Sequence, residues 1–232
     1  MSSVVSRQSS VVRDGAPSLV LASASPRRRE LIERLGLSFE VLPADVDETP
    51  RRGEAPEALA RRLAEDKATA IAHVRPHALV VGSDTIVVVD GEILNKPTND
   101  DDAVRMLMRL QGREHRVETG IAVVAPPLAG SRAARVASSV VGVDVRFRPF
   151  DETLARAYVA TREPLDKAGA YGIQGFGSAL VERIDGDYFA VMGLPVVRML
   201  ALMRDLGWDY RFGEGLRPSP TTTDDSRLTT DD

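Results

Sequence analysis

The chain of 232 residues contains no cysteine. That absence removes a disulfide framework, a thiolate zinc site and a cysteine nucleophile together, and it fits a reducing cytoplasm. Long apolar runs are missing as well: none approaches the roughly 20 residues of a membrane span. The N-terminal MSSVVSRQSSVVRDGAP has no apolar core of the kind a signal peptide carries. Nor is there an excess of positive charge, because 30 Lys and Arg face 34 Asp and Glu, for a net charge of −4. Generic attachment to nucleic-acid backbone is therefore not indicated, and a basic site has to be local. The phosphate-binding signatures GxxxxGKS/T and GxGxxG are absent, as is HExxH, so the P-loop, Rossmann and zincin readings lack their motifs. A soluble cytoplasmic protein, bound to neither membrane nor nucleic acid, is expected.

What is present is an alternation of β and α signals between two polar ends. Residues 1–17 are Ser-rich, and 213–232 are polar with few large apolar residues, so both are predicted to be disordered around one compact unit at 18–212. SLVLAS reads as a buried strand, followed by a helix that Ser25 can cap, Pro26 can open and Gly36 can end. A second helix is predicted at 56–74, with Lys67 inside it. ALVVGSDTIVVVDGEILNKP reads as two apolar runs flanking GSDT, with Asp90-Gly91 as a hairpin signal. Strands are expected at 115–125 and 138–150 and a helix at 151–160. Residues 163–178 are too glycine-rich for regular structure. ALVERIDGDYFAVMG reads as a final hairpin turning at Asp185-Gly186, and a closing helix begins at Pro195.

Chemistry concentrates in a few places. Arg27, Arg28 and Arg29 occupy the first turn of a helix, where the helix dipole already disfavours cations. Backbone N–H groups and guanidinium forks converging there suit an anion, most naturally phosphate; the alternative is simple solvation of a helix end. Asp84 follows an apolar strand, where an open α/β sheet commonly binds its ligand; such an Asp can take metal, act as a base or cap a turn. The acidic loop ADVDE offers Asp45, Asp47 and Glu48, enough oxygens to help hold Mg²⁺ but without the rest of a calcium loop. Lys67 and Lys96 taken singly read as surface residues. His73 and His77 stand four apart, but Pro76 between them argues against a shared helix face, and they receive no role.

In order along 18–208, the blocks LASASPRR, ADVDE, EDKA, GSDT, LNKP, EPLDKAGAYGIQG and VMGLP closely resemble the Maf family of nucleoside triphosphate pyrophosphatases. The resemblance implies an α/β fold of the Maf and inosine triphosphatase type, with a mixed twisted sheet, flanking helices and a cleft between two lobes. It implies hydrolysis of a nucleoside triphosphate between the α and β phosphates, with a divalent metal, Mg or Mn. By resemblance Asp84 is the proton acceptor, Glu48 a metal or water partner, and Glu48 and Asp84 the metal-binding pair. Lys67, Lys96 and Lys167, with Arg27 or Arg28, would neutralise the triphosphate, and Ser23 would line the same site. Members acting on dTTP and UTP resemble this chain at Arg27, Thr85 and Gln174, whereas those acting on 7-methyl-GTP differ there. Gln174 is thereby expected to read the uracil or thymine edge, with Thr85 at the same end. A homodimer is implied too. Two other readings are a nucleotidyltransferase, for which SASPRR lacks the Gly-rich turn, and a nucleotide-binding regulator of cell division.

Overall fold

The computed structural model describes residues 17–127 and 133–219. Strand β1 (Ser18–Leu21) leads through a four-residue turn into helix α1 (Pro26–Arg34), and β2 (Phe39–Val41) follows. Helix α2 (Pro56–Val74) precedes the long strand β3 (Ala78–Val89), which the Asp90-Gly91 turn joins to β4 (Glu92–Leu94). Helix α3 (Asp100–Leu110), strands β5 (Glu114–Ala125) and β6 (Arg135–Phe147) and helix α4 (Glu152–Ala160) come next. After short 3-10 turns between Glu163 and Leu180 come β7 (Val181–Asp185), α5 (Tyr188–Met192), α6 (Val196–Asp205), β8 (Trp208–Arg211) and β9 (Gly215–Pro218). Spacing and caps account for most of this. Pro56 opens α2, whose inward face carries Leu59, Leu63, Ala64, Ala68 and Ile71, and Asn99 caps α3 by accepting from the Asp102 N–H.

One mixed sheet carries the fold, in the order β2-β1-β3-β5-β6-β7, with β4 also paired to β3. β1 runs parallel to β2 and β3, and the remaining pairs are antiparallel. The mixed twisted sheet with flanking helices is thus the fold class expected. Two details of β3 create the site. β5 covers one edge of β3 from Val80 to Val88, while the other edge pairs with β1 only through Val81 and with β4 only from Val87. Residues 82–86 are left with an edge unpaired among the described residues. In addition, Gly82 of β3 and Gly120 of β5 have no Cβ because the backbone of α2 lies against them: a Cβ on either would collide with the Ala64 or Ala60 carbonyl oxygen. Helix α2 can therefore sit unusually close to the sheet at this level.

Four expectations need correcting. GSDT does not separate two runs; it lies within the single strand β3, so Asp84 stands in mid-strand. The reason is non-local: what opens the edge beside Asp84 is the end of β1, not a break in β3. The hairpin predicted over 179–193 is half right, since β7 pairs with β6 but YFAVM forms α5. Asp187 caps that helix by accepting from the Phe189 N–H at 2.8 Å, and Gly193 ends it at φ 111°. The Ser25 side chain makes no capping bond, although Ser25 is at the N-cap and Pro26 opens the helix as expected. Finally, the start of the segment predicted to be disordered from residue 213 is structured, because β9 pairs with β8 and buries Leu216. Residues 1–16 and 220–232 lie outside the described residues. No helix among the described residues is long and apolar enough to cross a membrane.

Candidate active site

A cleft of about 780 Å³ opens over the unpaired edge of β3. Every site residue that the family resemblance implies lines it: Glu48, Lys67, Asp84 and Lys96, and Ser23, Arg27, Arg28, Thr85, Lys167 and Gln174. They come from six separate stretches of chain, and the fold brings them together.

At the centre is a bridged carboxylate pair. Lys67, on the buried face of α2, donates from Nζ to Asp84 Oδ1 at 2.6 Å and lies 2.6 Å from Glu48 Oε1. The glycine contact at Gly82 explains how an α2 lysine can reach a mid-strand aspartate, because Lys67 and Asp84 share the face where helix and sheet approach most closely. Glu48 belongs to a loop with no regular structure, fixed instead from α2: Arg62 donates to Glu54 Oε1 at 2.7 Å and to the Thr49 carbonyl at 3.1 Å. That clamp holds Glu54 down to a pKa of about 2, through the Arg62 hydrogen bond first and the Arg51 N–H second. Burial pushes the Glu48 carboxyl up, but hydrogen bonding and charge from Lys67, with the charges of Lys96 and Arg28, outweigh it and leave it below the ordinary value. Of the acidic loop's three carboxylates only Glu48 lines the cleft; Asp47 turns back to accept from the Thr49 N–H at 2.9 Å.

The arginines of α1 divide their tasks. Arg28 is partly buried and spends its guanidinium on neutral oxygens, donating to Gly193 O at 2.8 Å, Ser23 Oγ at 3.1 Å and Thr85 Oγ1 at 3.2 Å. Burial pulls its pKa below the usual arginine value, with Asp84 opposing and Arg27 assisting. Arg28 is thus a brace joining β1, β3 and the end of α5. Arg27 keeps only a loose ion pair with Asp166 at 3.7 Å, and Arg29 turns outward to Glu33. Lys96 is exposed and makes no hydrogen bond or salt bridge among the described residues. Five cationic side chains, Arg27, Arg28, Lys67, Lys96 and Lys167, thus face three carboxylates, Glu48, Asp84 and Asp166, in the cleft. An excess of cations over carboxylates that lack a direct counterion suits a polyanion.

The opposite wall had no identified support in the sequence. Glu163 accepts from the Phe176 N–H at 2.8 Å, the Gly177 N–H at 3.0 Å and the Tyr158 hydroxyl at 2.8 Å, while Tyr158 Oη accepts from the Gly172 N–H at 3.0 Å. Burial raises the Glu163 carboxyl, and those backbone N–H bonds, with Tyr158 and Lys167, bring it below its ordinary value. A Cβ at Gly175 would strike the Glu163 carboxylate, so a glycine is needed there for close approach. Lys167 folds back onto the Glu163 carbonyl and Asp166. Glu163 sits inside the quoted EPLDK block, but its partners in the backbone of 172–177 leave no mark a spacing argument could find. Thr85 and Gln174, expected together, have different surroundings: Thr85 is on the floor with Arg28 and Thr119, whereas Gln174 is exposed and donates to Glu30 Oε2 at 3.2 Å.

Sheet and cleft together define a class: a mixed α/β protein with a basic, carboxylate-bearing cleft fitted to a phosphorylated ligand. The chain belongs to the Maf-like protein family, which matches residues 18–206. It is 51% identical over 193 residues to the dTTP/UTP pyrophosphatase of Moorella thermoacetica, covering 82% of this chain and 96% of that protein. The proteins of the same name from Shewanella oneidensis and Dictyoglomus thermophilum are 46% and 44% identical, again over 82% of this chain and over 98% and 96% of theirs. Among solved structures, the Staphylococcus aureus Ham1 protein aligns at a TM-score of 0.43 and 18% identity, over 71% of this chain and 79% of that one.

Proposed function

We propose that this protein hydrolyses nucleoside triphosphates, dTTP and UTP foremost, at the α–β phosphoanhydride, releasing the nucleoside monophosphate and pyrophosphate. The observation that carries this reading is the Glu48–Lys67–Asp84 bridge at the centre of a cleft where Lys96 has no ion pair among the described residues and Arg27 has only a loose one. The names of relatives that match over most of the chain supply the substrate class.

A triphosphate carries close to four negative charges, and Arg27, Lys96 and Lys167 are placed to receive them. In the free protein Arg27 and Lys167 are held by Asp166, a contact a phosphate can replace. Asp84 uses one oxygen on Lys67, and its other oxygen has no hydrogen bond among the described residues. That free oxygen is the group to accept a proton from the attacking water. Lys67 holds the two carboxylates in place and stabilises charge developing on the phosphoryl group. Arg28 keeps the floor rigid rather than contacting phosphate.

A divalent cation fits this site. Among the described residues no group of three or more His, Asp or Glu could hold a metal alone. Mg²⁺ in nucleotide sites commonly takes one or two carboxylates and completes its shell with phosphate oxygens and water. Glu48 and Asp84, already 2.6 Å from a shared ammonium, are that pair, and with Lys67 they leave a net negative charge to offer. When bound, such a cation polarises the phosphoryl oxygens and relieves charge on the leaving pyrophosphate.

The test is direct: purified protein with dTTP, UTP and a divalent cation should yield monophosphate and pyrophosphate in equal amounts, with water as the only acceptor. Release of orthophosphate instead, or turnover only with an added alcohol acceptor, would overturn the assignment.

A further inference from the structure

The wall residue Gln174 is held at two levels. Its backbone is fixed on both sides, because Tyr158 takes the Gly172 N–H and Glu163 takes those of Phe176 and Gly177. That leaves the amide free chiefly to turn about its own side-chain bonds, and Glu30 of α1 meets it there. Gln174 Nε2 donates to Glu30 Oε2 at 3.2 Å, and the other Glu30 oxygen receives Arg34 Nη2 at 2.7 Å. Arg34, through its hydrogen bond and then its charge, and Gln174 through its own bond hold the Glu30 carboxyl below its ordinary pKa.

An ionised carboxylate only accepts hydrogen bonds, whereas an amide has a donating and an accepting end. Gln174 must therefore turn its NH₂ to Glu30, since the opposite orientation would set an amide oxygen against an anion. Oε1 is then the end that Gln174 can offer to the cleft it lines. We propose that Glu30 is a specificity-positioning residue: by taking the Gln174 NH₂ it presents Oε1, an acceptor, to the base. An acceptor matches the N3–H of uracil and thymine and opposes the unprotonated N3 of cytosine. This rests on the reading of the cleft as a pyrimidine nucleotide site. Gln174 then reads the base edge through its acceptor alone, because its donating end is already engaged.

The experiment compares UTP with CTP by kcat/KM, and α,β-methylene UTP with α,β-methylene CTP by calorimetric binding, so that the ratio is read with and without turnover. Glu30→Gln is close to isosteric at a partly exposed position, and its amide can accept as well as donate, which lets Gln174 turn over. The expected result is a UTP-to-CTP ratio compressed by about fivefold or more, in KM and binding, with kcat for UTP within about twofold of the wild type. Glu33→Gln, which breaks the Arg29 pair on the same helix without touching Gln174, should leave the ratio where it was. An unchanged ratio in Glu30→Gln, with a collapsed one in Gln174→Ala, overturns the role of Glu30 alone. If Gln174→Ala also keeps the ratio, the base-reading role of Gln174 falls with it. Failure of the wild type to bind either analogue would instead remove the nucleotide reading itself.

Discussion

On one wall of the cleft, Lys67 and Asp84 stand on a helix of 19 residues and a strand of 12; on the other, Lys167 and Gln174 stand on short 3-10 turns and glycines. The first wall fixes its side chains by close backbone packing, with Gly82 and Gly120 admitting α2. The second fixes them by polar bonds that converge on one carboxylate, Glu163. Packing of the first kind is shared among many contacts, whereas the second kind depends on a few hydrogen bonds and has few substitutes when one is lost. The two walls should therefore fail differently.

The largest expected effect separates chemistry from both walls. Asp84→Asn should leave the fold and melting temperature nearly unchanged while lowering kcat by roughly 10² to 10⁴, measured by pyrophosphate release. Near wild-type turnover in a folded variant would remove Asp84 from the mechanism.

Gly120→Ala tests the packed wall. Its new Cβ meets the Ala60 carbonyl and forces α2 outward, so a loss of about 1–3 kcal/mol or more is expected in a denaturant titration. Because Lys67 moves with the helix, kcat should fall as well. Activity surviving such a loss of stability would show that the Lys67–Asp84 contact tolerates slack.

Glu163→Gln tests the bonded wall with little change of volume. Leaving part of the N–H set of 172–177 without its charged acceptor should cost about 1–2 kcal/mol. KM for the triphosphate should rise more than kcat falls, since Lys167 and Gln174 lose position while Asp84 does not. A change confined to kcat would place Glu163 in the chemistry.

The smallest effect depends on pH. His115, buried between Phe147 and Tyr171 and bonded to the Tyr171 hydroxyl at 2.8 Å, has its pKa lowered by burial from 6.5 to about 4. The unfolded chain takes up this proton before the folded one, so the stability contributed by neutral His115 is present above the unfolded pKa. It is lost progressively as pH falls from about 6.5 toward 4. Between about pH 7 and 5.5 the loss should be about 1 kcal/mol, and His115→Phe should flatten that part of the curve. An equally steep curve in the variant would assign the slope to other groups.

These contrasts also explain what could be read in advance. The packed wall was legible because its signals are local: Pro56 and the apolar spacing mark α2, and β-branched runs mark β3. Asp84 stands out in the sequence as a residue, but its mid-strand place does not, since the end of β1 makes the opening. At 185–193 the Asp-Gly turn signal points to a returning strand, but Asp187 capping a short helix prevails over strand alternation. The bonded wall was legible only as a quoted motif. Its supports join Glu163 to the N–H groups of 176 and 177, and Gln174 to Glu30 144 positions away, and no spacing rule connects those pairs.

The unpaired stretch of β3 has a consequence for solubility. A bare strand edge invites a strand from another chain, and proteins commonly protect such edges with charge, bulges or covering loops. Here the edge at 82–86 faces the buried Asp84–Lys67 pair and the braced Arg28, with the loop bearing Glu48 above it. The charged groups that build the cleft thus also guard the backbone against self-association. Variants that neutralise two of them together should aggregate on mild heating before they unfold, and a bound nucleotide should delay it.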